Sequence, residues 1–114
     1  MAQHKFTAAE LFAAQALAYH LKKELTEDIL PYWSKKICKG DTGFYGRISG
    51  EEVIDPEAPV GAIMTSRILW TFSNAFRLFR REEYKTMAMQ AKSLIINNFY
   101  DVEQGGIYWS INPD

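Results

Sequence analysis

One pattern occurs twice in this chain. Gly43-Phe44-Tyr45-Gly46-Arg47-Ile48 and Gly106-Ile107-Tyr108-Trp109-Ser110-Ile111 share the order glycine, apolar, tyrosine, any residue, polar, isoleucine. Each copy follows a turn that contains glycine and an acidic residue. Two helical stretches lie between the copies, so the chain runs up one helix, down the next, and returns to the same end. Both aromatic segments should therefore share one face. Helical pairs with their connecting segments on one face suggest a stacked or closed helical array. The fold class expected is mainly α, with antiparallel helical hairpins and short β-hairpins at one end. In the first copy, Ser49-Gly50 forms a tight turn and Glu51–Ile54 returns, giving a hairpin over 43–54. The second copy reaches Asn112-Pro113-Asp114 without a return strand. A strand without a partner leaves its backbone groups unpaired. The expectation is that 1–114 is a single partial domain whose polypeptide, or its ancestor, continues past Asp114.

The helices are legible from period and caps. Thr7 with Glu10 reads as a capping box. Leu17, Leu21, Leu25 and Ile29 then recur every fourth residue among charged neighbours, which predicts an amphipathic helix that Pro31 ends near Leu30. Asp55-Pro56-Glu57-Ala58-Pro59 reads as a polar connection. A second helix is expected from about Pro59 to Arg80 and a third from about Glu82 to Tyr100. In the third, Tyr84, Met87, Ala88, Ala91, Ile95 and Phe99 form one stripe.

Composition narrows the function classes. Thirteen basic and fourteen acidic residues give a net charge of −1 with no block of one sign. Neither a nucleic-acid nor an anionic-membrane partner is expected. Residues 6–19 are too polar for a secretory or membrane segment. The single cysteine, Cys38, reads as apolar filler in a reducing, cytoplasmic compartment. Aromatic residues make up 14% of the chain. They serve a core by default, but flat rings also stack on sugar rings.

From Ala58 to Phe76 the one charged residue is Arg67. A helix this apolar is expected to be buried on most sides, with Arg67 paired or facing a polar cavity. Ile63, Arg67, Trp70 and Asn74 fall on one stripe. Arg67 is then either a structural clamp or a residue lining a sugar pocket, and the residue pattern leaves both open.

The wording Ser66-Arg67-Ile68-Leu69-Trp70-Thr71-Phe72-Ser73 resembles the N-terminal signature of the cellobiose 2-epimerases, within the N-acylglucosamine 2-epimerase superfamily. Glu24–Trp33, Gly43–Ile48 and Gly105–Ser110 extend the resemblance over about residues 20–114, while residues 1–15 form a possible extension outside the matched motifs. The resemblance implies part of an (α/α)6 barrel with its active site at one end. It implies reversible epimerisation at C2 of the reducing-end sugar of a disaccharide such as cellobiose. The sugar ring opens, the C2 proton leaves, and an enediolate is reprotonated on its other face. It implies no metal and no organic cofactor. The family's acid/base histidines come from later helices; His4 and His20 lie outside the matched motifs. No catalytic residue is therefore expected within this chain, which should be inactive alone. Arg67 is the position that carries over as a substrate contact, followed by Tyr108; Trp109, Tyr45 and Trp70 are weaker candidates.

Other readings remain open. An N-acylglucosamine 2-epimerase or mannose isomerase-type enzyme would take a monosaccharide. A glycoside hydrolase on the same barrel would need two carboxylates, for which Asp41, Glu51, Glu52 and Glu103 are available. A non-catalytic fragment is the third. In each case the helical segment should expose apolar faces, and so self-associate or pair with the remainder of a barrel.

Overall fold

A computed structural model describes residues 3–113. The chain forms two compact units, Met1–Trp33 and Ser34–Asp114.

In the first unit, helix α1 spans Ala8–Glu24. Its capping box is present: Thr7 Oγ1 accepts from the Glu10 N–H, and the Glu10 carboxylate accepts from the Thr7 N–H. Two of the four orphan donors of the first turn are satisfied this way. Leu17 and Leu21 of the expected stripe are exposed. A π turn, Leu25–Ile29, follows. Here the Glu24 carboxyl titrates above the ordinary glutamate value, because Asp28 shares a hydrogen bond with it and adds a second negative charge.

Pro31 does not end the helix. The helical backbone continues through Leu30 and Pro31 into a further π turn, Tyr32–Ile37. In a regular helix the proline ring would crowd the carbonyl of Glu27. The preceding turn is already widened, with the Leu30 N–H reaching back five residues to Leu25 O. A π turn makes the room that a proline needs.

The second unit is an antiparallel helical pair with strands at one end. Strand β1 (Cys38–Lys39) pairs with β2 (Gly43–Phe44), and β3 (Arg47–Ile48) pairs with β4 (Ile54–Asp55). The run 43–54 is thus not one hairpin. It is broken at Gly46, whose missing side chain makes way for another stretch of backbone. A Cβ there would lie 2.0 Å from the Pro59 carbonyl oxygen. Strand β5 (Val60–Gly61) precedes helix α2 (Ala62–Phe79), so the helix begins three residues later than Pro59. Helix α3 (Glu82–Leu94) continues into a π turn, Ile95–Phe99.

Strand β6 (Ser110–Ile111) corrects the reading of an unpaired second copy. It lies antiparallel to β5, with Val60 opposite Ile111 and Gly61 opposite Ser110. Its ladder partner comes from the strand that leads into α2. Sequence spacing could not show this, because the pairing joins distant parts of the chain.

The repeat is real at the level of the backbone. Each copy follows a π turn that ends in a buried side chain, Ile37 or Phe99. Each tyrosine donates its N–H to that residue's carbonyl, Tyr45 to Ile37 at 2.9 Å and Tyr108 to Phe99 at 2.8 Å. Both copies sit at the same end of the helical pair, where Lys39 Nζ donates to Pro113 O at 3.3 Å.

The core lies between α2 and α3. Thr65, Ile68, Phe72 and Ala75 of α2 face Tyr84, Met87, Ala88 and Ala91 of α3, and all eight are buried. Three of these are alanines, which let the helices approach closely. The Tyr84 ring lies 5.9 Å from Phe72 and 6.2 Å from Phe79, centroid to centroid. Burying each large side chain stabilises the pair by roughly 1.5–3 kcal/mol. Arg80 closes α2 in the left-handed region, φ 56° and ψ 31°, and its N–H donates to Phe76 O. That conformation reverses the chain within two residues.

Candidate functional site

Helix α2 divides cleanly into two faces. Its inner face packs on α3. Its outer face carries Ile63, Arg67, Trp70, Asn74 and Arg77, which the helical period stacks in one stripe. The stripe is as expected, but its environment is not. Arg67 is exposed, and it has no ion pair or hydrogen bond among the described residues. Trp70 is 70% exposed. The expectation of a mostly buried helix with a paired arginine is therefore overturned. An apolar sequence marks a surface that seeks cover, and only the α3 side of this one is covered here.

The outer face has a defined chemistry. No aspartate or glutamate occurs between Glu57 and Glu82, so no carboxylate of this segment neutralises Arg67. Its guanidinium presents five N–H donors in a planar fork. Two turns on, Asn74 Nδ2 donates to Trp70 O at 2.8 Å, and Asn74 Oδ1 accepts from Arg77 at 3.2 Å. Asn74 and Arg77 are thus engaged on the helix surface, whereas Arg67 is left available. The Asn74–Arg77 pair was not foreseen, although its three-residue spacing could have signalled it.

The aromatic strand meets α2 at its start. The Ala62 N–H donates to Trp109 O at 2.9 Å. Arg67 lies five residues further, about 7.5 Å along the axis at 1.5 Å per residue. Tyr108 is 48% exposed and Trp109 77% exposed. Tyr45 is half-buried, with the Lys39 ammonium 5.9 Å from its ring centroid. Lys39 was not singled out by the sequence. It becomes notable because it also reaches Pro113 and so links the two copies.

Trp109 thus lies at the start of α2 and Arg67 about a turn and a half further along it, with Trp70 one turn deeper and Tyr45 on the other copy. No hydrogen bond or ring contact joins any two of the five site candidates among the described residues. The grooves near Lys39 and Pro113, along Asp41 and Asn97, and beside Ile63 and Ile107 are lined by none of them. The carboxylates available to a hydrolase lie elsewhere. Glu52 pairs with Lys36, and Asp41, Glu51 and Glu103 are in exposed turns. Cys38 accepts from Gln90 and donates to Gly40 O, as a packed side chain does. His4 lies beside Glu10 and Phe6, and His20 beside Tyr19, in the first unit. Among the described residues no group of three or more His, Cys, Asp or Glu is placed to hold a metal ion. None of the described helices is long and apolar enough to cross a membrane.

No protein-family model matches the chain. Individual relatives do. A cellobiose 2-epimerase of Bacteroides fragilis is 52% identical over 99 residues, covering 86% of this chain and 25% of the relative. One of Ruminococcus albus is 39% identical over 92 residues, covering 81% of this chain and 24% of the relative. The solved cellobiose 2-epimerase of Spirochaeta thermophila superposes with a TM-score of 0.80 at 36% identity, over 88% of this chain and 25% of that one. That of Bacillus thermoamylovorans superposes at 0.82 and 29% identity, over 87% and 26%. These neighbours have an (α/α)6 barrel. The chain spans about a quarter of the length of the relatives it matches, and the resemblance read from its motifs stands.

Proposed function

We propose that this chain is the N-terminal part of a carbohydrate epimerase that interconverts C2 epimers at the reducing end of a disaccharide such as cellobiose. In this reading α2 belongs to the inner ring of an (α/α)6 barrel and α3 to the outer ring. The asymmetry of the two outward faces supports it. That of α2 carries Ile63, Trp70 and an uncompensated arginine, while that of α3 is mostly polar, with Glu82, Lys85, Thr86 and Ser93 beside one exposed apolar residue, Met89. The observation that carries the proposal is exposed, unpaired Arg67 on the helix whose start is bonded to the aromatic strand.

Removing the C2 proton places negative charge on the oxygens at C1 and C2. Arg67 donates to those oxygens and stabilises the enediolate more than the ground-state sugar, which is what accelerates the step. Tyr108 contacts the sugar from the strand end. Trp109, Tyr45 and Trp70 shape the surroundings of the ring. The proton itself moves through acid/base groups outside this chain, since His4 and His20 are surface residues of the first unit. The chain alone is therefore inactive. Its single cysteine fits a cytoplasmic enzyme. Its exposed apolar faces fit pairing with the rest of a barrel, or self-association when that is absent.

The test joins this chain to the remaining three quarters of the Bacteroides fragilis relative and follows cellobiose by product analysis. Glucosyl-mannose is expected from the joined protein and none from the chain alone. Arg67→Ala should lower kcat by about 10²–10³-fold, the usual effect of removing one oxyanion donor. Free monosaccharides, or an Arg67→Ala variant with unchanged kcat, would overturn the proposal.

A further inference from the structure

The repeat contains its own template for what covers its second copy. In the first copy, Gln90 Nε2 donates to Gly43 O at 2.8 Å. A Cβ built on Gly43 would meet the Leu94 side chain at 3.7 Å, and Phe44 beside it is 2% exposed. One helix thus supplies an amide donor and, four residues later, an aliphatic cover. In the second copy the same positions stand open. Nothing lies within 4 Å of a Cβ on Gly106, and Ile107 is 60% exposed. The Gly106 carbonyl accepts one N–H, from Asp101 at 3.0 Å, and a carbonyl has capacity for two. Beside it lies an apolar groove of about 210 Å³ lined by Ala62, Ile63, Ser66, Ile95, Phe99 and Ile107.

We infer that this groove seats a helix of the α3 kind, which donates a side-chain amide N–H to the Gly106 carbonyl and lays a leucine-sized side chain, four residues later, over Gly106 and Ile107. The inference rests on the barrel reading, in which a relative about three and a half times as long has the extra chain such a seat requires. It adds the chemistry of the occupant. A second copy of this chain is a poorer occupant, since its own Gln90 and Leu94 already engage its Gly43.

The probe is a peptide of residues 82–99, stapled on its solvent face and titrated into the isotope-labelled full chain. Saturable amide shifts are expected at Gly106, Ile107 and Ile63. A peptide with Gln90→Ala and Leu94→Ala should bind at least about tenfold more weakly, having lost a hydrogen bond and an aliphatic contact. Ile63→Glu in the full chain should abolish binding; Ile63 is on the exposed rim, and an unchanged thermal melt would show that the fold survives. Four results would overturn the inference: no saturation at millimolar peptide, equal binding of the double variant, shifts confined to Cys38–Phe44, or concentration-dependent shifts at Gly106 without peptide. The last would mean that the chain occupies its own groove in trans. Epimerase activity of the joined protein is read separately, so the two proposals fail independently.

Discussion

Gly46→Ala is expected to be the most damaging one-carbon change in the second unit. The added Cβ would sit 2.0 Å from Pro59 O, 2.7 Å from Pro59 C and 2.8 Å from Ala58 O. Ordinary contact begins near 3.4 Å, so one backbone segment must retreat by more than 1 Å. The obstacle is backbone rather than the end of a flexible side chain, and Pro59 is stiff. The next two residues, Val60 and Gly61, form the strand that holds Ile111 and Ser110. A retreat therefore strains or breaks the β5–β6 ladder. Overpacking of this kind costs roughly 1–3 kcal/mol, and rigid surroundings place this site near the upper end. The control is Gly50→Ala, where nothing lies within 4 Å of the new atom; its effect should stay within about 0.5 kcal/mol. Urea unfolding followed by circular dichroism gives both values. Equal midpoints for the two variants would refute the reasoning.

Three further outcomes follow from the structure. Thr7→Ala removes the acceptor of the capping box and should destabilise α1 by about 1 kcal/mol, visible as a loss of ellipticity at 222 nm. Arg80→Gly relieves a left-handed residue at the α2–α3 corner and should stabilise the helical pair by about 0.5–1 kcal/mol, raising its thermal midpoint despite the lost contact with the Phe76 ring. Glu24 binds its proton more readily when folded, because Asp28 shares a hydrogen bond with it and repels its charge. Its contribution is absent at neutral pH, grows as pH falls through the raised value, and is complete below the ordinary glutamate range. Helix content should rise over that acid window, and Asp28→Asn should flatten the rise.

The elements legible in the sequence were those with local causes. The capping box of Thr7 and Glu10, the stripe from Tyr84 to Phe99 and the turn after Gly40 depend on residues a few positions apart. The π turns were not legible, because an i to i+5 bond leaves no simple period in a run as short as Leu25–Ile29. Pro31 was misread for the same reason. The partner of Ser110–Ile111 was invisible because it lies at Val60–Gly61, and local pattern carries no information about such pairing. For the site, the stripe through Ile63, Arg67, Trp70 and Asn74 was correct, while its exposure was not. Composition shows that a face is apolar but not which neighbours cover it. Lys39, which touches Tyr45 and Pro113, gave no signal at all, since a lysine on a two-residue strand looks like any surface charge.

The two-residue corner at Arg80–Arg81 has a kinetic consequence. Phe79 and Tyr84 meet across it although they are only a few residues apart, so α2 and α3 can zip together early from a small loop. The β5–β6 ladder closes a far longer loop, from Val60 to Ile111, and must wait for that zipper. What forms late on few contacts also opens at the lowest free energy. Hydrogen exchange should therefore be fastest at Tyr108–Ile111 and slowest at Phe72 and Ala91. The end that carries the exposed aromatics Tyr108 and Trp109 is then the hinge side of the unit, and the arginine helix is its anchor.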